Sequence, residues 1–329
     1  MQHQCGSVQL SPGAAVSTPQ TRAGTVEGES MNWPTMVWIN GRLEPTERAL
    51  LTVTDRGFQV GDGIFETLLV VGGQVVELPL HSSRLHASAS VLAIPLPDDL
   101  ERTLIQAITG LCKANRLDGP HTRVAVRVTV SRGAVDRHAL LPPDVVRANM
   151  VVQAWRVDPP RPEMLSRGLA LIISGVRRDP ASPLATVKTT SRAEFVYAQL
   201  EAHRRGADDA VFLTTDGYLA EATTASLFLV EGAGLATASL DCGILISTTR
   251  EWVISTGGPR LGLTVRQEHL SPDDLFTADE AFLASSVAGI LPIASVDGRP
   301  IGTGTPGVRT LRLRALREDA VSDIFRSSI

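Results

Sequence analysis

Residues 210–222 read Ala-Val-Phe-Leu-Thr-Thr-Asp-Gly-Tyr-Leu-Ala-Glu-Ala, which is the clearest β-hairpin signal in the chain. An Asp-Gly pair between two strand-like runs is typical of a tight hairpin turn, because glycine tolerates the positive φ angles of such turns. The same pattern occurs at Asn40-Gly41 and at Gly72-Gly73. Strands joined by short hairpins pair antiparallel. We therefore expect an α/β (α+β) fold with antiparallel or mixed sheets and peripheral helices, not a doubly wound parallel sheet.

The remaining pattern divides the chain into a tail and two domains. Strand patterns at 123–130, 150–155 and 170–173 alternate with helical patterns at 81–92, 99–115 and 192–205. Residues 1–30 are rich in Gly, Ser, Thr and Gln and predict a disordered tail. Three prolines in Asp158-Pro-Pro-Arg-Pro162 predict a linker over 158–165. We thus expect a small α/β domain over 31–157 and a larger domain over 166–329.

Composition excludes several classes of function. The 329 residues carry a net charge of -4, with no basic stripe that could neutralise the phosphates of a nucleic acid or a membrane surface. No apolar run reaches the roughly 18 residues of a membrane span. Cys5, Cys112 and Cys242 lack CxxC spacing, which predicts neither a disulfide framework nor a metal site. Isolated cysteines fit a reducing compartment, so we expect a cytoplasmic protein.

Lysine is nearly absent from the chain. Of the 31 Lys and Arg residues only Lys113 and Lys188 are lysines, so arginine serves almost wherever a positive charge suffices. A lysine can lose its proton and attack a carbonyl to form a Schiff base, which an arginine cannot do. Lys113 lies near the end of a predicted helix and suits a surface charge. Lys188 ends the mostly apolar run from Pro183, which suggests a reactive amine at the mouth of a buried strand; a salt-bridged structural lysine is the alternative.

Two further segments offer partners for such an amine. Glu221, on the returning strand of the 210–222 hairpin, could face a cofactor ring nitrogen or could simply be solvated. The strand-like run Ile244-Leu-Ile leads into Ser247-Thr248-Thr249, where a helix is predicted to start. A helix start presents unpaired N–H groups and hydroxyls that suit an anion, although these residues could also be an ordinary N-cap. Neither segment is specific alone.

Together these segments resemble the fold-type IV pyridoxal 5′-phosphate (PLP) enzymes, the class IV aminotransferase family. That family includes branched-chain, D-amino-acid and R-selective amine aminotransferases and aminodeoxychorismate lyases. The resemblance covers roughly residues 36 to 315. It is carried by six blocks: Asp55 to Thr67, His81-Ser-Ser-Arg-Leu85, Lys188-Thr-Thr-Ser-Arg192, Glu221 to Phe228, Ile244 to Arg250, and Ser285 to Pro292. It implies a mixed-sheet pseudo-barrel in the larger domain, and a homodimer.

The resemblance also implies roles for individual residues. Lys188 matches the Schiff-base lysine that moves the Cα proton, and Glu221 matches the glutamate facing the pyridine nitrogen. The implied cofactor-binding set comprises Arg84, Lys188, Arg192, Glu221, Leu245, Thr248, Thr249 and Ser286, in which Arg84, the two threonines and Ser286 hold the phosphate and Leu245 lies under the ring. Phe65 and Arg137 are the implied substrate-binding residues, and no metal is implied. Taken alone, Arg84 could be a surface helix arginine and Arg137 a solvated loop arginine.

The implied activity is that of a PLP-dependent aminotransferase, which transfers an amino group from an amino acid or amine to a 2-oxo acid. Departures from the family pattern keep an alternative open. Arg192 and the Ser131-Arg-Gly loop resemble the lyases, which would release pyruvate and 4-aminobenzoate with the same lysine. Ile246-Ser247 replaces the usual Pro-Gly before the phosphate threonines. A non-catalytic PLP-binding protein is a third hypothesis, disfavoured because Lys188 and Glu221 are both present.

Overall fold

The hairpin signals of the sequence correspond to real hairpins in the structure, a computed structural model that describes residues 34–136 and 139–326. The Asn40-Gly41 turn, with both residues at positive φ, joins the first two strands, and the Asp216-Gly217 turn joins the eighth to the ninth. The predicted tail over 1–30 and Arg137 lie outside the described residues. The strands of the first sheet are Met36–Ile39 (β1), Arg42–Pro45 (β2), Gly63–Val71 (β3), Gln74–Val75 (β4), Arg123–Ser131 (β5) and Asn149–Arg156 (β6).

The first sheet has the strand order β2-β1-β6-β5-β3-β4, and every pairing is antiparallel. Helices Arg56–Val60 (α1), Leu78–Leu92 (α2) and Leu100–Ala114 (α3) accompany it. Leu85 of α2 and Leu104 and Leu111 of α3 pack against valines of β5 in a continuous apolar core. Burying a leucine contributes about 1.5–3 kcal/mol, so this core fixes both helices on the sheet.

The second sheet has nine strands of mixed direction. They are Leu169–Arg178 (β7), Asp209–Thr214 (β8), Leu219–Ala222 (β9), Ser226–Glu231 (β10), Gly234–Ala238 (β11), Thr264–Glu268 (β12), Glu280–Ser285 (β13), Gly289–Val296 (β14) and Arg299–Pro300 (β15). The neighbours β10-β13-β14-β7-β8-β9 form a ring that closes where Glu221 of β9 pairs with Ser226 of β10. Leu171, Val211 and Leu283 belong to the apolar core of this barrel. The mixed α/β architecture expected from the hairpins is confirmed.

Helices surround the barrel. They are Pro162–Arg167 (α4), Ala193–Arg204 (α5), Thr248–Trp252 (α6), Gly258–Arg260 (α7), Pro272–Thr277 (α8) and Val308–Arg326 (α9). A π-helical turn, Val253–Gly257, joins α6 to α7, so residues 248–260 form one helical run. Among the described residues, none of the helices combines the length and the apolar character that crossing a bilayer requires.

Two sequence-based expectations about local structure are wrong. The run from Pro183 to Lys188 is not a strand but a chain of turns, with Ala185 N–H bonded to Ser182 and Val187 N–H to Leu184. Those backbone groups satisfy each other locally, so they cannot join a ladder. The run Ile244–Ile246 also lies outside any strand, because the Leu245 N–H donates to the Glu221 side chain instead of to a neighbouring backbone.

Candidate active site

The backbone of the first sheet holds Lys188, although Lys188 precedes α5, a helix that packs on the second sheet. The Phe65 N–H donates to the Lys188 carbonyl at 2.9 Å, and the Thr190 N–H donates to the Gly63 carbonyl at 2.9 Å. Gly61 permits this close approach: it has a φ of 67°, and a Cβ there would lie 2.3 Å from Ser191 Oγ. The lysine therefore stands where β3 meets the segment leading into α5.

The Lys188 amine lies among positive charges and an aromatic ring. Its Nζ is 4.7 Å from the centroid of the Phe65 ring. Burial, followed by the positive charge of Arg84, lowers the pKa of Lys188 to about 8, although Glu66 and Glu221 act in the opposite direction. A neutral amine is the nucleophilic form, so this lysine can attack a carbonyl near neutral pH far more readily than an exposed lysine.

The predicted site residues converge on one cavity of about 790 Å³. Seven of them line it: Phe65, Arg84, Lys188, Arg192, Glu221, Leu245 and Ser286. Thr248 borders an adjoining cavity of about 230 Å³ that shares Arg84 and Ser247 with the first. Thr249, the second residue of α6, is fully buried. The structure thus brings together residues from both sheets that are far apart in sequence.

Glu221 is a buried carboxylate with defined partners. Its Oε2 accepts from the Leu245 N–H at 3.3 Å, and its Oε1 lies 3.6 Å from Arg178 Nη2. Burial raises the pKa of Glu221, whereas the charge of Arg178 and the Leu245 hydrogen bond oppose that rise. Arg178 also binds Glu194 at 2.5 Å and the Ala185 carbonyl at 2.8 Å. The solvated-glutamate interpretation is therefore wrong for this residue.

Two arginines flank the Phe65 ring in the cavity wall. The Arg127 guanidinium carbon lies 3.8 Å from the Phe65 centroid, and that of Arg192 lies 5.8 Å away and 3.1 Å from the Phe195 centroid. Burial lowers the pKa of Arg192 to about 10, which still leaves it charged near neutral pH. Arg192 donates to the Thr223 carbonyl. Within the described ranges, neither Arg127 nor Arg192 has a carboxylate within 4.0 Å.

Arg84 takes part in a buried cluster with Glu66 and His81. Its Nε and Nη2 donate to the two oxygens of Glu66 at 2.6 Å each, and its Nη1 donates to the Ile246 carbonyl at 2.7 Å. His81 Nδ1 lies 2.8 Å from Glu66 Oε2. Burial alone would raise the pKa of Glu66, but the hydrogen bonds from Arg84 and His81 outweigh it and hold that pKa at about 2. Glu66 is therefore ionised.

The start of α6 forms the polar end of the cavity. Ser247 is the N-cap, and its Oγ accepts from the Arg250 N–H at 3.2 Å. The first N–H groups of any helix lack intrahelical partners, so those of Thr248 and Thr249 are available to an anion. Thr248 Oγ1 and Ser286 Oγ are 3.1 Å apart. Thr249 Oγ1 is buried and has no hydrogen-bond partner among the described residues.

Several residues in and around the cavity were missed by the sequence-based predictions. Glu66 carries a usable signal, because its neighbours on the same face of β3, Ile64 and Leu68, are buried and apolar. A charged residue between buried apolar residues on one face of a strand predicts a buried partner of opposite charge. Arg127 gives no such signal, because Ala125 and Thr129 share its face of β5 and the buried valines lie on the other face. Arg178 has none, because it lies on β7 and reaches Glu221 of β9 across β8, a contact between strands that no local pattern predicts.

The chain is similar to proteins of known family. The family model for amino-transferase class IV matches residues 63–296. A Methanocaldococcus jannaschii protein provisionally named branched-chain-amino-acid aminotransferase is 30% identical over 285 residues, covering 86% of this chain and 95% of that protein. The Bacillus subtilis aminodeoxychorismate lyase is 26% identical over 293 residues, 86% of this chain and 95% of the lyase.

The fold comparison agrees. The crystal structure of the T.th. branched-chain amino acid aminotransferase with pyridoxamine 5′-phosphate superposes with a TM-score of 0.81 at 28% identity, covering 88% of this chain and 95% of that one. Further matches are named branched-chain-amino-acid or D-alanine aminotransferase. The chain therefore belongs to the class IV amino-transferases, the PLP-dependent family that its sequence blocks resemble.

Proposed function

We propose that Lys188 and Glu221 carry out transamination in the 790 Å³ cavity, moving an amino group from an amino acid to a 2-oxo acid. The protein is a PLP-dependent aminotransferase. The observation that carries the assignment of residues is that a lysine with a pKa of about 8 and a buried carboxylate line the same cavity. Strongly perturbed groups that face one cavity are typical of catalytic sites.

The residues present fit the cofactor. Arg84, the N–H groups at the start of α6 and Ser286 would hold the phosphate, and the buried Thr249 hydroxyl, which has no partner in the described part of the chain, supports a further contact there. Leu245 would contact the ring, while Glu221 would face its nitrogen. When bound, PLP supplies an electron sink that makes the substrate Cα–H acidic.

The chain's own residues perform the proton transfers. Lys188, with its lowered pKa, would take the substrate Cα proton as general base and deliver it to C4′ of PLP. Arg178 opposes the effect of burial on Glu221 and so favours its carboxylate form, which would favour a protonated ring nitrogen when PLP is bound.

The substrate class follows from charge. Arg127 and Arg192 lie in the cavity wall without a carboxylate partner in the described part of the chain. Amino acids and 2-oxo acids carry a carboxylate that can pair with such groups, whereas simple amines cannot. Arg137, outside the described residues, stays a proposed further carboxylate-binding residue. A homodimer and the division into domains at 158–165 are likewise proposed.

The lyase is a second candidate, supported by the position of Arg192 in the cavity. Its other support is weaker, since Arg132 is committed to Asp62 and to the carbonyls of Leu92 and Ala93. Acceptor dependence distinguishes the two activities, because a transaminase stops after one half-reaction without a 2-oxo acid. Steady turnover with pyruvate release and no acceptor would favour the lyase.

Attachment of the cofactor tests the site itself. Reduction of the PLP-loaded protein with borohydride, followed by peptide mapping, should place the pyridoxyl group on Lys188. Lys113 is the internal control, because it is exposed on α3 and the chain contains no third lysine. Labelling of Lys113 with an unmodified Lys188 would refute the assignment.

A further inference from the structure

We propose that Glu66 is the positioning residue of the phosphate site: it fixes the plane of Arg84 so that the arginine presents its free N–H groups to the cofactor phosphate. The proposal rests on the proposed role of Arg84. It assigns a function to a carboxylate that does not line the cavity itself.

Glu66 lies on an apolar face of β3. Ile64, Leu68 and Val70 share its face of the strand, and all are buried in the core beneath α2 and α3. Glu66 is 1% exposed in that apolar setting. An ionised carboxylate in such a core is strongly unfavourable without partners, so its presence calls for a specific interaction.

Glu66 and Arg84 form a two-point contact. The two Glu66 oxygens accept from Nε and Nη2 of Arg84 along one edge of the guanidinium, a two-point contact that fixes the orientation of the plane and not only its location. The Ile246 carbonyl accepts from Nη1 and holds the arginine against the segment that leads into α6.

Arg84 has more N–H donors than its contacts with Glu66 and Ile246 use. A guanidinium has five N–H donors. Three are used, by the two Glu66 oxygens and the Ile246 carbonyl. His81 does not accept from Arg84, because the ionised Glu66 can only accept and His81 Nδ1 must donate to it. The remaining donors of Arg84 belong to a side chain that borders both the main cavity and the cavity containing Ser247 and Thr248.

His81 stabilises the same arrangement. Its Nδ1 binds Glu66, and its Nε2 is buried without a partner among the described residues. The imidazole therefore binds the Glu66 carboxylate and does not line the cavity. His81 and Arg84 lie three residues apart on α2, and thus on one face of the helix, so a single helix directs both donors at Glu66.

Comparing PLP with pyridoxal, which has the aldehyde but no phosphate, isolates the phosphate site from the chemistry at Lys188. Dissociation constants of both are measured by absorbance on the cofactor-free protein for the wild type, Glu66→Gln, Arg84→Met and the double variant. We expect Glu66→Gln to weaken PLP about 10- to 100-fold, the range of a lost charge-assisted contact, and to change pyridoxal less than about 3-fold. The double variant should bind PLP no worse than Arg84→Met alone.

Asp62→Asn is the matched control, because it removes another carboxylate held by two arginines, Arg56 and Arg132, away from the cavity. It should leave the ratio of the two dissociation constants unchanged. If Glu66→Gln fails to fold, Glu66→Asp keeps the charge but shortens the reach, and it should still reduce the preference for PLP.

The outcomes separate this proposal from the one on which it rests. If the wild type binds PLP and pyridoxal equally, both the phosphate site and the role of Glu66 fall. If Arg84→Met removes the preference while Glu66→Gln retains it, only the positioning role falls. Equal weakening of PLP and pyridoxal in Glu66→Gln would show a general scaffold role and overturn the proposal.

Discussion

Replacing Lys188 with methionine should stabilise the cofactor-free protein. Methionine keeps the apolar stem and removes a charge that the folded state disfavours. A pKa lowered from the ordinary 10.5 to about 8 corresponds to about 3 kcal/mol, since each pH unit is worth about 1.4 kcal/mol at 25 °C. Lys188 is only half-buried and lines an open cavity, so solvent screening reduces this figure to about 1–3 kcal/mol at pH 7.

The gain should depend on pH in a defined direction. Below pH 8 the folded and unfolded states both carry the proton, and the penalty in the wild type is fully present. Between about pH 8 and 10.5 the folded wild type releases its proton while the unfolded chain keeps it, so the wild type gains stability as pH rises. The advantage of Lys188→Met should therefore shrink across that window and vanish above it.

Urea unfolding of the cofactor-free proteins at a series of pH values measures the difference. Lys113→Met is the control, because its exposed lysine should change the free energy of unfolding by no more than about 0.5 kcal/mol at any pH. A destabilised Lys188→Met, or a gain that does not vary between about pH 7 and 10.5, would refute the reasoning that the site holds its amine under electrostatic strain.

Three further substitutions test other parts of the site. Glu221→Gln should retain PLP but slow Cα proton transfer about 100-fold or more in stopped-flow measurements, and an unchanged rate would remove Glu221 from that role. Arg178→Leu should lower the free energy of unfolding by about 3 kcal/mol, because it leaves Glu221 buried without its ion-pair partner. Adding Glu221→Gln to that variant should recover part of the loss, and no recovery would argue against coupling. Arg137→Ala should lower kcat/KM about 30-fold for amino acids but not for simple amines, and equal losses on both would indicate a structural role.

Local turn chemistry made much of the fold predictable. Asn40-Gly41 and Asp216-Gly217 are short-range signals, and the strands on either side of each pair antiparallel. The closure of the barrel was not predictable, since the pairing of Glu221 with Ser226 completes a ring of six strands drawn from residues 169 to 296. Strands β11 and β12 pair parallel although the chain between Ala238 and Thr264 separates them, and no local sequence pattern predicts such a pairing.

The candidate site divides in the same way. Lys188 could be found in the sequence because lysine is so rare there, and Glu221 could be found from its place after the Asp216-Gly217 turn and from the family resemblance. The partners that set their behaviour could not, since Arg178 reaches Glu221 from β7 and Arg84 reaches the Ile246 carbonyl across 162 positions. The prediction that Lys188 ends a strand was wrong because the backbone groups just before it form hydrogen bonds within their own turns.

Strand β3 connects these parts, and it leads to a last prediction about specificity. Its backbone holds the lysine through the Phe65 N–H, one face of the strand carries Glu66, and the opposite face presents Phe65 and Thr67 to the cavity. A side-chain substitution cannot remove the backbone hydrogen bond. Phe65→Leu should therefore leave PLP attached to Lys188 while changing the ratio of kcat/KM between two amino acid substrates about 10-fold, as a reshaped apolar wall does. Peptide mapping checks the first outcome and competition between substrates checks the second. Loss of labelling at Lys188 would mean that the aromatic ring, not the backbone, holds the lysine in place.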